Sequence, residues 1–177
     1  MNDFSSAFGN VNIQPKTPAH NPAGGSILGQ VTAGRPKQGQ RIVIAGIEKV
    51  GKTSLACDAP RAMLVQLEVG GVSASVPKTP LLTTFGQVRQ FLGEVKSECQ
   101  AGRFQAQTLV WDTATALERL IDQQTITDDN KGRQSMETAH GGYGKAYAYA
   151  NGLFGEFMKE CDELAQYAGI NHIFTCH

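Results

Sequence analysis

The segment "RIVIAGIEKVGKTS", Arg41 to Ser54, constrains this chain more than any other stretch. An apolar run leads directly into two glycines, Gly46 and Gly51, which bracket four residues and are followed by Lys52 and Thr53. That is the G-x-x-x-x-G-K-[ST] spacing of a phosphate-binding loop. Glycines at both ends permit backbone angles that turn consecutive N–H groups inward, and a helix starting near Lys52 adds its positive dipole end. The predicted cradle is Gly46, Ile47, Glu48, Lys49, Val50, Gly51, Lys52, Thr53 and Ser54. Within it Lys52 is expected to reach the β- and γ-phosphates of a nucleotide, and the Thr53 hydroxyl to bind Mg²⁺. The alternative is a chance strand-to-helix turn. Context favours the loop, since an apolar strand precedes it and a helix start, "KTSLACDA", follows.

From Arg41 onward apolar runs alternate with helical periods, the pattern of an α/β sheet with crossover helices. Strands are predicted at 41–45, 62–68, 108–112 and 170–176. A crossover helix is expected over 84–100, where Thr84 and Gln87 have capping-box spacing. A longer helix over 144–168 carries one apolar stripe from Ala146 to Ala168, with Gly169 placed to end it. Residues 1–38 are rich in Asn, Pro, Gly, Gln and Ser and read as a flexible leader in which "SILGQV" would add one edge strand. Residues 39–177 form the expected domain.

Three further residues stand where ligands sit in such sheets, at the carboxyl ends of strands. Asp112 closes "TLVWD" and is suited to hold a water of a Mg²⁺ shell opposite Thr53. The alternative, a helix N-cap before "TATALERLI", is compatible with that role. Glu68 closes "AMLVQLE" just before Gly70 and Gly71, where a carboxylate would orient or activate an attacking water. A solvated edge residue is its alternative. In the last strand Ile173, Thr175 and His177 share one face by period-two alternation, which projects His177 beside the phosphates as a γ-phosphate sensor or leaves it a frayed end.

The segment "TDDNKGRQSMETAHGGYGKAY" is polar, glycine-rich and long for a connection inside a domain. Lys131, Arg133, His140 and Lys145 offer cations and Tyr143 an aromatic for a phosphodiester backbone and a base face, with Asp128, Asp129 and Glu137 offsetting the charge. A solvated loop is the alternative. For Tyr143 itself, packing against the following helix is the expected fate.

Composition excludes several classes. Formal net charge is zero over 177 residues, unlike the basic footprint of a strong, free-standing nucleic-acid binder. Cys57, Cys99, Cys161 and Cys176 show neither C-x-x-C nor zinc spacing and read as reduced thiols. No run has transmembrane length and no basic-then-apolar signal opens the chain, so a cytoplasmic protein without membrane association is expected.

In "GIEKVGKTS", "AMLVQLEVGG", "TLVWDTATAL", "GGYGKAYAYANGLFGEF" and "INHIFTCH", in that order, the chain resembles phage RecA-like P-loop nucleotide-binding proteins, a branch of the AAA-type ATPases that includes single-strand annealing and recombination ATPases. The resemblance runs from Arg41 to His177. It implies a RecA-like P-loop NTPase core with a parallel sheet in the order 1-4-3-2, ATP and Mg²⁺ as cofactors, and single-stranded DNA and further copies of the chain as partners. By the same resemblance Glu68 takes the place of the catalytic glutamate and Asp112 that of the Walker B aspartate. His177 takes the sensor place, as His where the family has Gln, and joins Lys52 and Glu68 as a catalytic candidate. The segment before "GGYGKAY" corresponds to the first DNA loop, and Lys131 and Arg133 from it, with Tyr143 and Lys145 from the signature itself, are the candidate DNA contacts. RecA-like domains continue past the sensor strand, so a domain incomplete at its C-terminal side is expected.

An ATPase of phage DNA recombination or replication is the expected function. A nucleotide or small-molecule kinase would need an arginine-rich lid, whereas Arg103, Arg119 and Arg133 are scattered. A nucleotide-gated binding module with negligible turnover is the third class. A GTPase is disfavoured, because "DDNKGR" supplies Asn-Lys without the aspartate of N-K-x-D.

Overall fold

The computed structural model describes residues 38–70 and 75–177. The elements in chain order are β1 (Arg41–Ala45), α1 (Lys52–Cys57), β2 (Ala62–Gln66), α2 (Phe85–Gln100), β3 (Thr108–Asp112), α3 (Ala114–Thr127), a single 3₁₀ turn (Ala139–Gly141), α4 (Lys145–Ala168) and β4 (Asn171–Cys176). The expected leader and its "SILGQV" strand fall outside the described residues, apart from Gln38.

The four strands form one sheet in the order β1-β4-β3-β2, every neighbouring pair parallel. This is a P-loop NTPase core, and β4 lies between β1 and β3 as expected. Parallel pairing forces each connection to cross back over a face of the sheet, which is why both faces are covered. Successive residues in a strand point to opposite faces. Val65, Leu109, Trp111 and Phe174 therefore pack towards α2, α3 and α4. Leu64, Val110 and Ile173 pack towards α1. All five residues of β3 are buried, as a central strand with two covered faces requires.

One boundary differs from the sequence-based expectation for a structural reason. Strand β2 ends at Gln66 rather than at 68, because its partner β3 ends at Asp112, opposite Gln66. The Leu67 N–H donates the last ladder bond to the Asp112 carbonyl (2.9 Å), and Glu68 then leaves the sheet. Helix α2 does start with the capping box: the Thr84 hydroxyl accepts from the Gln87 N–H, and the Gln87 side chain accepts from the Thr84 N–H. Helix α4 closes at Gly169 with φ 69°, a conformation that glycine adopts without strain.

The four cysteines are unpaired, and burial pushes the Cys99 thiol up to about 11 and Cys161 higher still.

The core holds one titratable ring. His172 is fully buried, stacks against Trp111 with ring centroids 6.2 Å apart, and its Nδ1 lies 3.2 Å from Trp111 Nε1. An indole N–H can only donate, so Nδ1 accepts and the ring proton is on Nε2, which among the described residues makes no hydrogen bond of good geometry. Its pKa drops from 6.5 to about 4: burial is the largest cause, the Cys161 backbone partly opposes it, and the Arg41 charge adds to it. Because the folded value lies below the unfolded one, His172 contributes its full stability above pH 6.5 and loses it as the pH falls towards about 4. That span corresponds to ~3 kcal/mol. His172→Asn, whose amide oxygen can still accept from Trp111, is expected to flatten the unfolding free energy between pH 6.5 and 4; denaturant titrations of parent and variant with equal slopes there would refute this.

Candidate nucleotide-binding site

All four strands deliver a residue to the carboxyl edge of the sheet. From β1 the chain enters the loop at Gly46, whose N–H donates to the Cys176 carbonyl at the end of β4 (3.2 Å). Left-handed backbone occurs at Lys49 (φ 63°) and Gly51 (φ 90°), so this corrects the expectation that both glycines supply the special angles. At Gly46 a Cβ would make only ordinary contacts with Val50 and Lys52, and φ is not positive. Gly51 faces open space and α1 has no side-chain cap, so its first-turn N–H groups point outward without a side-chain acceptor. Ile47, Glu48, Lys49 and Val50 are exposed, as is Ser54 in the first turn of α1.

Lys52 is 8% exposed, with its ammonium directed back into the loop. It donates to the Gly46 and Ile47 carbonyls (both 2.7 Å) and approaches His177 Nδ1 at 3.3 Å. An ammonium has only protons to give, so Nδ1 accepts and Nε2 is left as the N–H side of the ring. That nitrogen lies 3.5 Å from Glu68 Oε1. His177 thus bridges Lys52 and Glu68, two residues that reach the site from α1 and from the end of β2. Glu68 and His177 are each about one-third exposed, the lysine end being the buried one.

Asp112 is buried, and its Oδ1 accepts from the Thr53 hydroxyl (2.9 Å) and the Thr175 hydroxyl (2.6 Å). The helix N-cap alternative for Asp112 is corrected: Thr113 is the cap of α3, its hydroxyl accepting from the Ala116 N–H at 3.2 Å. Among the described residues no group of three or more His, Cys, Asp or Glu could enclose a metal. Thr53 and Asp112 nevertheless suit Mg²⁺, which takes one or two protein oxygens, phosphate oxygens and waters. Thr175 was not singled out from the sequence, although alternation places it on the face that carries His177.

The 128–145 segment is folded on its own side chains. Asp129 is buried and accepts from the Arg133 N–H (3.0 Å) and the His140 N–H (3.1 Å). The Arg133 N–H is the main cause that holds the Asp129 carboxyl below the usual range, with the His140 N–H assisting. His140 stacks on Tyr149 (4.4 Å) and donates from Nε2 to the Thr125 carbonyl (2.8 Å), so it is engaged in holding the loop rather than free for a phosphate. Arg133 and Lys145 converge: Nη1 and Nζ lie 3.9 and 3.8 Å from the position a Cβ on Gly141 would take. Lys131 is exposed. Tyr143 is fully exposed, which corrects the expected packing against α4. Its φ of 52°, between left-handed Gly142 and Gly144, turns the ring away from the helix.

Helix α4 leads into β4 within three residues, so its other end points towards the carboxyl edge of the sheet. At about 1.5 Å per residue it is roughly 36 Å long against roughly 20 Å for β4, so Lys145 and the loop overhang the end that carries Lys52, Glu68, Asp112 and His177.

A family model described as an AAA domain matches residues 38–177. No curated protein matches the chain. Among the described residues no helix is long and apolar enough to cross a membrane.

Proposed function

The chain belongs to the AAA-domain family, and from that premise we propose that it is a Mg²⁺-dependent ATPase of phage DNA recombination or replication that works on single-stranded DNA as an oligomer. The observation that carries the reading is the meeting of Lys52, Glu68, Asp112 and His177 at one edge of the sheet. Residues 39–177 are its nucleotide-binding domain. Gly46 to Ser54 hold the phosphates, Lys52 neutralises the β- and γ-oxygens, and Thr53 with Asp112 holds Mg²⁺. Bound Mg²⁺ would draw charge from the phosphate oxygens. Glu68 receives a proton from the attacking water, and His177, between Glu68 and Lys52, registers which of the two the phosphate has engaged.

The overhanging loop supports the DNA part of the reading. Arg133, Lys145 and Lys131 offer cations and Tyr143 an uncovered ring beside the nucleotide end. With zero net charge on the chain, one such loop holds a strand weakly. Loops aligned along one strand by assembly add their affinities through effective concentration.

The test measures phosphate release from ATP with and without single-stranded oligonucleotide, together with titration of labelled oligonucleotide across a salt series. Stimulated release and ATP-strengthened binding are expected. Lys131→Ala with Arg133→Ala should lower affinity and reduce the magnitude of the salt slope by up to about two. Identical curves for parent and double variant would remove the loop from the DNA site, and absent phosphate release would favour a nucleotide-gated binding module.

A further inference from the structure

We propose that Thr175 is the positioning residue for the Asp112 carboxylate, fixing which of its oxygens is presented to a cation. Strands β3 and β4 pair so that Asp112 and Thr175 lie directly opposite each other. Thr175 is fully buried, and its hydroxyl lies 2.6 Å from Asp112 Oδ1 and 3.3 Å from the Trp111 carbonyl. A hydroxyl has one proton, so the short contact to the charged acceptor takes it. The Thr53 hydroxyl donates to the same Oδ1 at 2.9 Å. Oδ1 is therefore bonded twice, and among the described residues no side chain donates to Oδ2.

The two donors differ in what else they must do. Thr53 sits in the phosphate loop, where its oxygen lone pair is the group offered to Mg²⁺. Thr175 belongs to a central strand with no ligand duty, so its bond persists whatever Thr53 engages. Without it the carboxylate would be oriented only by Thr53, whose hydroxyl is itself the group offered to the cation. Supporting hydrogen bonds to a metal-binding carboxylate typically change metal affinity about 10- to 100-fold.

The inference rests on Asp112 as the cation-holding carboxylate, and the experiment separates the two. Calorimetric titration of the full chain with ADP, with and without Mg²⁺, gives the affinity gain due to the metal, and Mn²⁺ in place of Mg²⁺ gives an electron paramagnetic signature of the same site. Thr175→Val, equal in shape but without the hydroxyl, is expected to shrink the metal-dependent gain about tenfold and broaden the Mn²⁺ spectrum, with metal-free ADP affinity unchanged. Thr175→Ser is expected to restore both. Asp112→Asn should abolish the gain. If Asp112→Asn abolishes it while Thr175→Val retains the parental gain, the positioning role is overturned and the Asp112 reading stands. If Asp112→Asn keeps the gain, the Asp112 reading fails and the positioning role with it. Should the valine variant not fold, Thr175→Ala replaces it, and equal gains for alanine and serine would overturn the proposal.

Discussion

Lys52→Ala is expected to abolish measurable nucleotide binding and, with it, turnover. The Lys52 ammonium is the buried cation of the loop and already has three partners, the Gly46 and Ile47 carbonyls and His177 Nδ1. The carbonyls belong to the loop backbone and lie closer, while His177 is the more exposed and more distant partner, so a phosphate oxygen is expected to displace the histidine. Truncating one member of a buried, charged hydrogen-bonded pair costs about 2–5 kcal/mol, which is roughly 30- to several-thousand-fold in affinity. The same substitution removes two anchors of the loop backbone, so thermal unfolding must be measured alongside fluorescent-nucleotide titration. A variant that melts with the parent and has lost binding ties the effect to the ammonium. Parental affinity and turnover in that variant would refute the phosphate-loop assignment.

Glu68→Gln should give the second-largest effect and a different kind. Glutamine keeps the length and can still accept from His177 Nε2, which lies 3.5 Å from the carboxylate. It cannot take a proton from water. Nucleotide affinity should stay within about threefold of the parent while phosphate release slows by about 10²–10⁴, the usual contribution of a positioned general base. Single-turnover phosphate release measured beside equilibrium ADP binding separates these quantities. Weakened binding with parental hydrolysis would assign Glu68 to ground-state contacts instead.

What could be read from the linear chain was what depends on near neighbours. The phosphate loop is nine contiguous residues, and its chemistry follows from their order, Gly46 to Ser54. Thr84 and Gln87 are three apart and close their cap within one helical turn. The apolar run "TLVWD" marked a strand ending in a carboxylate, and the apolar stripe marked α4. The strand order was anticipated from family resemblance, since no local pattern carries it. Tertiary structure decided the remainder. Lys52 and His177, 125 positions apart, meet only because β4 inserts beside β1. Thr113 rather than Asp112 caps α3, and this leaves the carboxylate to Thr53 and Thr175. Thr175 reaches Asp112 because the β3–β4 register sets them opposite each other, and a slip of one residue would turn that hydroxyl to the other face. Tyr143 is exposed, and His140 is spent on Tyr149 and Thr125, because left-handed backbone and a buried Asp129 set the loop path. Periodicity and turn preference act over a few residues, whereas a site assembled from four strands depends on their mutual register, which side-chain packing across the whole sheet determines.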